Sequence, residues 1–184
     1  FMVSQKLFDP QFLKSLRVAV EQSGQDFTKA TIAQKRTDFG LVVIGGTGRS
    51  RYQGNQYAAI YDLGGDDVYA NNQASSVWGS IPTAVIVDYA GDDAYESHEP
   101  FRQGCGDFGV GVLVDMAGND SYVATRFGQG TGFFGIGALI DLTGNDVYRG
   151  LEMCQAVGHW GAGYIADMEG NDRYESHDTS QGVE

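Results

Sequence analysis

The sequence predicts an all-β fold: a single-stranded parallel β-helix, or β-solenoid, of about five to six coils behind an N-terminal helical cap. Three observations predict it. A phrase of the form D-x-x-G-[DN]-D-x-Y occurs five times, as DLGGDDVY, DYAGDDAY, DMAGNDSY, DLTGNDVY and DMEGNDRY. Its opening residues, Asp62, Asp88, Asp115, Asp141 and Asp167, stand 26, 27, 26 and 26 residues apart. Each closes a short aliphatic run such as VIVD or VLVD, a strand pattern and not a helical one. A unit of that length without helical period cannot bury its own apolar face, so neighbouring units must stack.

Taken in chain order, residues 1–40 stand outside the repeat. Asp9-Pro10 reads as the N-cap and first position of a helix, followed by an apolar stripe of Phe12, Leu13, Leu16, Ala19 and Val20 that ends near Gly24. A second helical stretch is expected over 26–39, ending at Gly40. An uncovered solenoid end invites edge-to-edge association, so these helices are expected to cap the first coil. The repeat domain then runs from 41 to 184. Its opening, Val42-Val43-Ile44-Gly45-Gly46-Thr47-Gly48, resembles a strand entering a dinucleotide-binding glycine loop. Such a loop delivers phosphate to a helix N-terminus, whereas here Arg49 to Gly54 leads into another repeat strand. A glycine-rich first coil is the better reading. The last copy stops mid-coil at Gln181-Gly182-Val183-Glu184, and the array is expected to continue beyond it.

Alignment on the opening aspartate exposes further columns. Gly65, Gly91, Gly118, Gly144 and Gly170 stand three residues on, a second aspartate (Asp67, Asp93, Asp120, Asp146, Asp172) five on, and Tyr69, Tyr95, Tyr122, Tyr148 and Tyr174 seven on. Aspartate followed by glycine is turn chemistry: the carboxylate bonds the backbone two residues ahead, and glycine accepts positive φ. The x-D-x-Y that follows resumes an extended chain with Asp and Tyr on one face. The strand before each turn is apolar on both faces. Ile60, Ile86, Leu113, Leu139 and Ile165 are expected inside. Val87, Val112, Val114, Ile136 and Ile140 lie on the other face, against a cap, a second copy or a neighbouring domain. Gln103, Gln129, Gln155 and Gln181 form one more column, expected as an amide ladder.

Composition removes several function classes. The formal net charge of −12 argues against nucleic acid, whose phosphates require a basic surface, while permitting cations or basic partners. No apolar run reaches about 18 residues, so no transmembrane segment is expected. The two cysteines, Cys105 and Cys154, fall two coils apart, roughly 9.6 Å or more by strand spacing. A disulfide cannot span that distance, and two free thiols are expected.

The aspartate columns are the chemical question. Twelve of the 24 acidic residues lie in the turns: the ten column aspartates together with Asp66 and Asp92. Stacking sets like charges ~5 Å apart, at a cost of about 1 kcal/mol per neighbour even at high dielectric. Two arrangements offset it. In one, each opening Asp caps its own turn and each second Asp bonds the backbone of an adjoining coil. In the other, Asp62, Asp67, Asp88, Asp93, Asp115, Asp120, Asp141, Asp146, Asp167 and Asp172 serve as ligands to calcium, which takes six to eight oxygens.

The segments Gly118 to Tyr122, Gly144 to Tyr148 and Gly170 to Tyr174, each G-N-D-x-Y, resemble half of the hemolysin-type calcium-binding nonapeptide G-G-x-G-x-D-x-U-x. In that family the Asp binds calcium between successive turns and the large residue packs inside a parallel β-roll. The resemblance implies calcium as cofactor and a bacterial protein placed outside the cell or in its envelope. The coil departs from the family. The motif's first Gly is Asp here, its second is Leu, Tyr or Met, and the period is 26 where that roll uses two nonapeptides per coil.

No catalytic constellation assembles. His98 and His177 occupy the same Y-E-S-H slot three coils apart, roughly 14 Å by strand spacing, and His159 adjoins Trp160. The expected function is a structural or interaction module of an exported bacterial protein, calcium-stabilised, with a protein or polysaccharide partner or with self-association. The alternative is a carbohydrate-active β-helix enzyme, a polysaccharide lyase or hydrolase using paired carboxylates. Its chemistry would sit where the repeat is broken, at Asp107, Arg126, Glu152 and His159.

Overall fold

The computed structural model describes residues 26–71 and 74–181, together with positions 11, 14, 15, 18, 19 and 22–24. It is a parallel β-solenoid of about five turns whose coils carry two short strands each, with a third in three of them. The first sheet contains β2 (Gly40–Gly45), β4 (Tyr57–Asp62), β6 (Thr83–Asp88), β9 (Val110–Asp115), β12 (Ile136–Asp141) and β15 (Ala162–Asp167), all parallel. The second stacks β3 (Arg51–Gln53), β5 (Val68–Ala70), β7 (Ala94–Ser97), β10 (Ser121–Arg126), β13 (Val147–Glu152) and β16 (Arg173–Asp178). A narrow third sheet joins β8 (Gly106–Asp107), β11 (Gly132–Phe133) and β14 (Gly158–His159).

Strand register reproduces the sequence columns. Asp62 pairs with Asp88, Asp88 with Asp115, Asp115 with Asp141 and Asp141 with Asp167. Tyr69, Tyr95, Tyr122, Tyr148 and Tyr174 likewise follow one another across the second sheet. The single 27-residue spacing is absorbed between these columns. Tyr95 stands eight residues before Gln103, where Tyr122 and Tyr148 stand seven before Gln129 and Gln155. The extra residue lies in the loop around Pro100, and both strand registers survive it.

The core has two files. Ile60, Ile86, Leu113 and Leu139 point inward from the first sheet, each at most 1% exposed. Facing them, the tyrosine rings stack at 4.4 to 5.1 Å from Tyr52 through Tyr174. The turn glycines let the coils close up: a Cβ on Gly118 would lie 1.7 Å from the Gly91 carbonyl oxygen. The other face of the first sheet is unevenly covered. Val87 and Val114 are buried, Val112 and Ile140 half-buried and Ile136 exposed.

The helical cap is not borne out. The second stretch, expected helical over 26–39, contains strand β1 (Thr31–Thr37), which runs antiparallel to β2 from Thr37↔Gly40 to Thr31↔Gly45. Pairing with β2 satisfies the backbone groups of the first coil's open edge, a gain that local helix propensity cannot match. The first stretch, from Asp9 to near Gly24, falls largely outside the described residues. Ala19 of its stripe is exposed, as is Val18 beside it. No helix among the described residues is long and apolar enough to cross a membrane.

Candidate metal centre

Each turn directs both of its aspartates into the solenoid. The strand ending at the opening Asp alternates in and out, so the Asp two residues after Leu113 or Leu139 shares that residue's inward face. One carboxylate oxygen caps the turn behind it: Oδ1 of Asp62, Asp88 and Asp115 accepts from the N–H of Gly64, Ala90 and Ala117 at 3.1 to 3.2 Å. Oδ2 accepts a tyrosine hydroxyl from the preceding coil, Tyr95 to Asp115 and Tyr122 to Asp141 at 2.6 Å each. Tyr52 to Asp62 and Tyr69 to Asp88 repeat that bond.

The second aspartates make a chain of their own. The backbone N–H groups of Asp67, Asp93, Asp120 and Asp146 donate to Oδ1 of Asp93, Asp120, Asp146 and Asp172, at 2.6 to 3.0 Å. Their remaining oxygens are stranded. Oδ2 of Asp67, Asp93, Asp120 and Asp146 is buried without a hydrogen-bond partner, as is Oδ1 of Asp141 and of Asp167. Across the coils these groups meet in trios, Asp62–Asp67–Asp88, Asp93–Asp115–Asp120, Asp120–Asp141–Asp146 and Asp146–Asp167–Asp172, whose ligand atoms lie within 4.8 Å of one another.

Burial makes this file of acids costly to ionise. The column aspartates from Asp62 to Asp146 are all 2% exposed or less, while Asp167 and Asp172 in the last described coil are half-buried. Loss of solvent raises the carboxyls of Asp62, Asp67, Asp88, Asp93, Asp115, Asp120, Asp141, Asp146 and Asp167, and the charges of neighbouring carboxylates push in the same direction. Asp141 is pushed up to about 8 and Asp146 to about 6. None of the ion pairs among the described residues, Arg102–Glu99, Arg126–Glu152, Arg149–Glu175 and Arg173–Glu175, involves them.

The donor set fits a hard divalent cation. It offers carboxylate oxygens only, grouped at a spacing one ion can bridge, and two negative charges per coil would balance one such ion. The stranded Oδ2 atoms carry the fit, because a buried acceptor without a donor costs about 1–3 kcal/mol.

All ten aspartates singled out from sequence therefore line one interior file. Asp66 and Asp92, grouped with them by position, face solvent instead, at the start of a ladder of short bonds. In it Asn119 Nδ2 donates to Asp92, Asn145 to Asn119 and Asn171 to Asn145, at 3.0 to 3.4 Å. That column is the amide ladder, and the glutamine column is not. Gln129 Nε2 donates to the carbonyls of Tyr122 and Arg149 at 2.9 and 3.0 Å, clamping two coils from a left-handed corner at φ 54°. Gln103 and Gln155 do the same. The tyrosine hydroxyls were not anticipated as acid partners. Their signal was present: a fully buried ring column needs only phenylalanine, yet all five copies carry tyrosine.

The repeat-breaking residues do not form a catalytic group. Arg126 donates to Glu152 at 2.8 Å on the outer surface. Asp107 and His159 flank Phe133 in one column of the third sheet, with the ring between them. Both cysteines are buried free thiols. Gly46 and Gly48 abut the carbonyls of Lys29, Phe27 and Thr28, and β3 follows them, so the glycine loop serves chain packing. Comparison with protein-family models, curated proteins and solved structures finds no match.

Proposed function

We propose that this chain is a structural and interaction module, a rigid solenoid segment of an exported bacterial protein, with calcium held along its interior acid file. The observation that carries the reading is the row of buried carboxylates whose stranded oxygens recur once per coil. A file of that kind destabilises the fold unless its charge is neutralised, and a bound divalent ion converts the liability into a strut between coils. The aspartates of each trio would hold the ion, which when bound supplies charge neutralisation and cross-linking. The chain's own residues fix the geometry: backbone N–H groups orient the second Asp, and tyrosine hydroxyls orient the opening Asp. Calcium sites of extracellular modules are weak, roughly 10⁻⁴–10⁻³ M, and fill only where calcium is abundant. An extracellular or envelope location agrees with that, as does the resemblance of the turns to hemolysin-type repeats.

Calorimetric melting with millimolar calcium and with chelator tests the proposal. A ligand bound only by the native state raises the melting temperature by mass action, about 2.7 kcal/mol at a hundredfold excess over its dissociation constant. An unchanged melting temperature removes calcium from the reading.

A further inference from the structure

The four acid trios are not separate. Three of them follow one rule, each joining the second aspartate of one coil to both aspartates of the next: Asp93–Asp115–Asp120, Asp120–Asp141–Asp146 and Asp146–Asp167–Asp172. Asp120 therefore belongs to two trios, and so does Asp146. The first trio breaks the rule. The position that would supply the acid of its preceding coil is Ser50, whose N–H donates to Asp67 Oδ1 just as the Asp67 N–H donates to Asp93 Oδ1. A serine there brings no charge, and the trio takes Asp88 from the following coil instead. The ten aspartates thus divide into one isolated set of three and one linked set of seven.

Two stranded groups point to ions throughout the linked set. Asp141 belongs only to the middle trio, is fully buried, and keeps Oδ1 without a partner. If each carboxylate held a single ion, at most three trios could fill, the first, second and fourth, and the Asp141 charge would be left uncompensated. Tyr148 is the other stranded group. Tyr95 and Tyr122 donate to Asp115 and Asp141, but the Tyr148 hydroxyl is fully buried and has no hydrogen-bond partner. The charges that bear on it include those of Asp141, Asp167 and Asp146, so it stands beside the last two trios as a neutral oxygen ligand.

We propose that Asp120 and Asp146 each ligate two calcium ions, so that a linked row of three ions runs from Asp93 to Asp172 beside one independent ion at Asp62–Asp67–Asp88. The proposal rests on the calcium reading above and deepens it. A carboxylate has two oxygens to share. Ions one coil apart, ~4.8 Å, are farther from each other than the about 3.5–4 Å common in two-metal sites. Charge agrees as well. Three divalent ions among seven carboxylates leave one negative charge, and one ion among three carboxylates also leaves one. The row joins the four turns from Asp93 to Asp172 through common ligands, whereas the independent ion joins only the first two.

Equilibrium dialysis of the full chain against millimolar calcium, in about 0.15 M potassium chloride to screen loose surface binding, counts the bound ions. Saturation is expected at four per chain, one per trio. Asp67→Asn and Asp146→Asn are matched variants. Each replaces the second aspartate of a turn and keeps an Oδ1 acceptor for the N–H it serves, that of Ser50 or Asp120. Asp67 belongs to one trio and Asp146 to two. Asp67→Asn should therefore bind one ion fewer than the parent and Asp146→Asn two fewer, both with the far-ultraviolet circular dichroism of the parent. Asp120→Asn, which also touches two trios, repeats the comparison should Asp146→Asn fail to fold. Saturation of the parent at three ions, or equal losses in the matched variants, overturns shared ligation and leaves the calcium reading standing. A parent that takes up no calcium overturns both.

Discussion

Replacing Tyr122 by phenylalanine removes one oxygen and leaves the aromatic file intact. The ring lies between Tyr95 and Tyr148 at 4.7 Å on either side and is fully buried, so packing and buried area hardly change. The loss is the hydroxyl donated to Asp141 Oδ2 at 2.6 Å. Asp141 Oδ1 has no partner, so no second donor compensates. Above about pH 8, where Asp141 is ionised, a hydrogen bond to it is worth about 1.5–3 kcal/mol, and stranding the buried acceptor adds to that, which places the cost near 3 kcal/mol. For a chain of this size about 3 kcal/mol lowers the melting temperature by roughly 6–12 °C. Tyr174→Phe is the control. Its hydroxyl reaches Asp167 at 3.1 Å, but the residue is 40% exposed and water takes over the bond; the expected cost is below about 1 kcal/mol. Melting by calorimetry in chelator compares the two. The Tyr122→Phe deficit should widen as pH rises through about 8, where Asp141 loses its proton and the missing donor matters more. Equal melting temperatures for the two variants, or a Tyr122→Phe protein within a degree of the parent, would refute the role of the hydroxyl as a strut.

Other outcomes follow from the same interior. In chelator, stability should fall as pH rises. Asp141 near 8 and Asp146 near 6 both lie above the ordinary 3.8, so the fold favours their protonated forms. Their full contribution is present below about pH 4 and is lost by about pH 8, at most roughly 6 kcal/mol for Asp141. A melting temperature flat from pH 5 to 9 in chelator contradicts this. Asp146→Asn should raise the melting temperature in chelator at pH 8, because it deletes a buried charge while keeping an acceptor for the Asp120 N–H. The same variant should shrink the gain on adding calcium, and an undiminished gain would show that the ion lies elsewhere. Gly118→Ala forces a Cβ to 1.7 Å from the Gly91 carbonyl oxygen, backbone against backbone. It should cost about 3 kcal/mol by urea titration, whereas Gly54→Ala, with open space around it, should cost only the strain of its left-handed φ of 93°, about 1–2 kcal/mol.

Much of the fold was legible because the repeat makes local and global signals agree. Once Asp88, Asp115, Asp141 and Asp167 align, stacking sets the strand register. The hairpin at the start was not legible. Residues 26–39 contain Lys29, Lys35 and Arg36 with alanines between, a composition compatible with a helix, and only the edge of β2 makes a strand preferable. At the candidate site, residue identities were legible and their setting was not. D-x-x-G reads as a surface turn, and nothing local shows that stacking turns both carboxylates inward while Asn119, Asn145 and Asn171, one residue away, stay outside. Gln129 was legible as a column but not as a clamp, because its acceptors, the carbonyls of Tyr122 and Arg149, belong to two different coils.

The bonds that the interior aspartates accept from a neighbouring coil all run the same way along the stack. Tyr122 reaches forward to Asp141 of the next coil, and the Asp120 N–H reaches forward to Asp146. A coil therefore supplies donors to its successor and acceptors to its predecessor, which gives the stack a front and a back. Tyr174, in the last described coil, turns its hydroxyl back to Asp167 of its own turn. Lengthening by duplication of one 26-residue unit preserves this polarity and adds one acid pair per copy. Front-to-back joining of two such stacks would continue the interior bonds, whereas back-to-back joining would set their donors against one another.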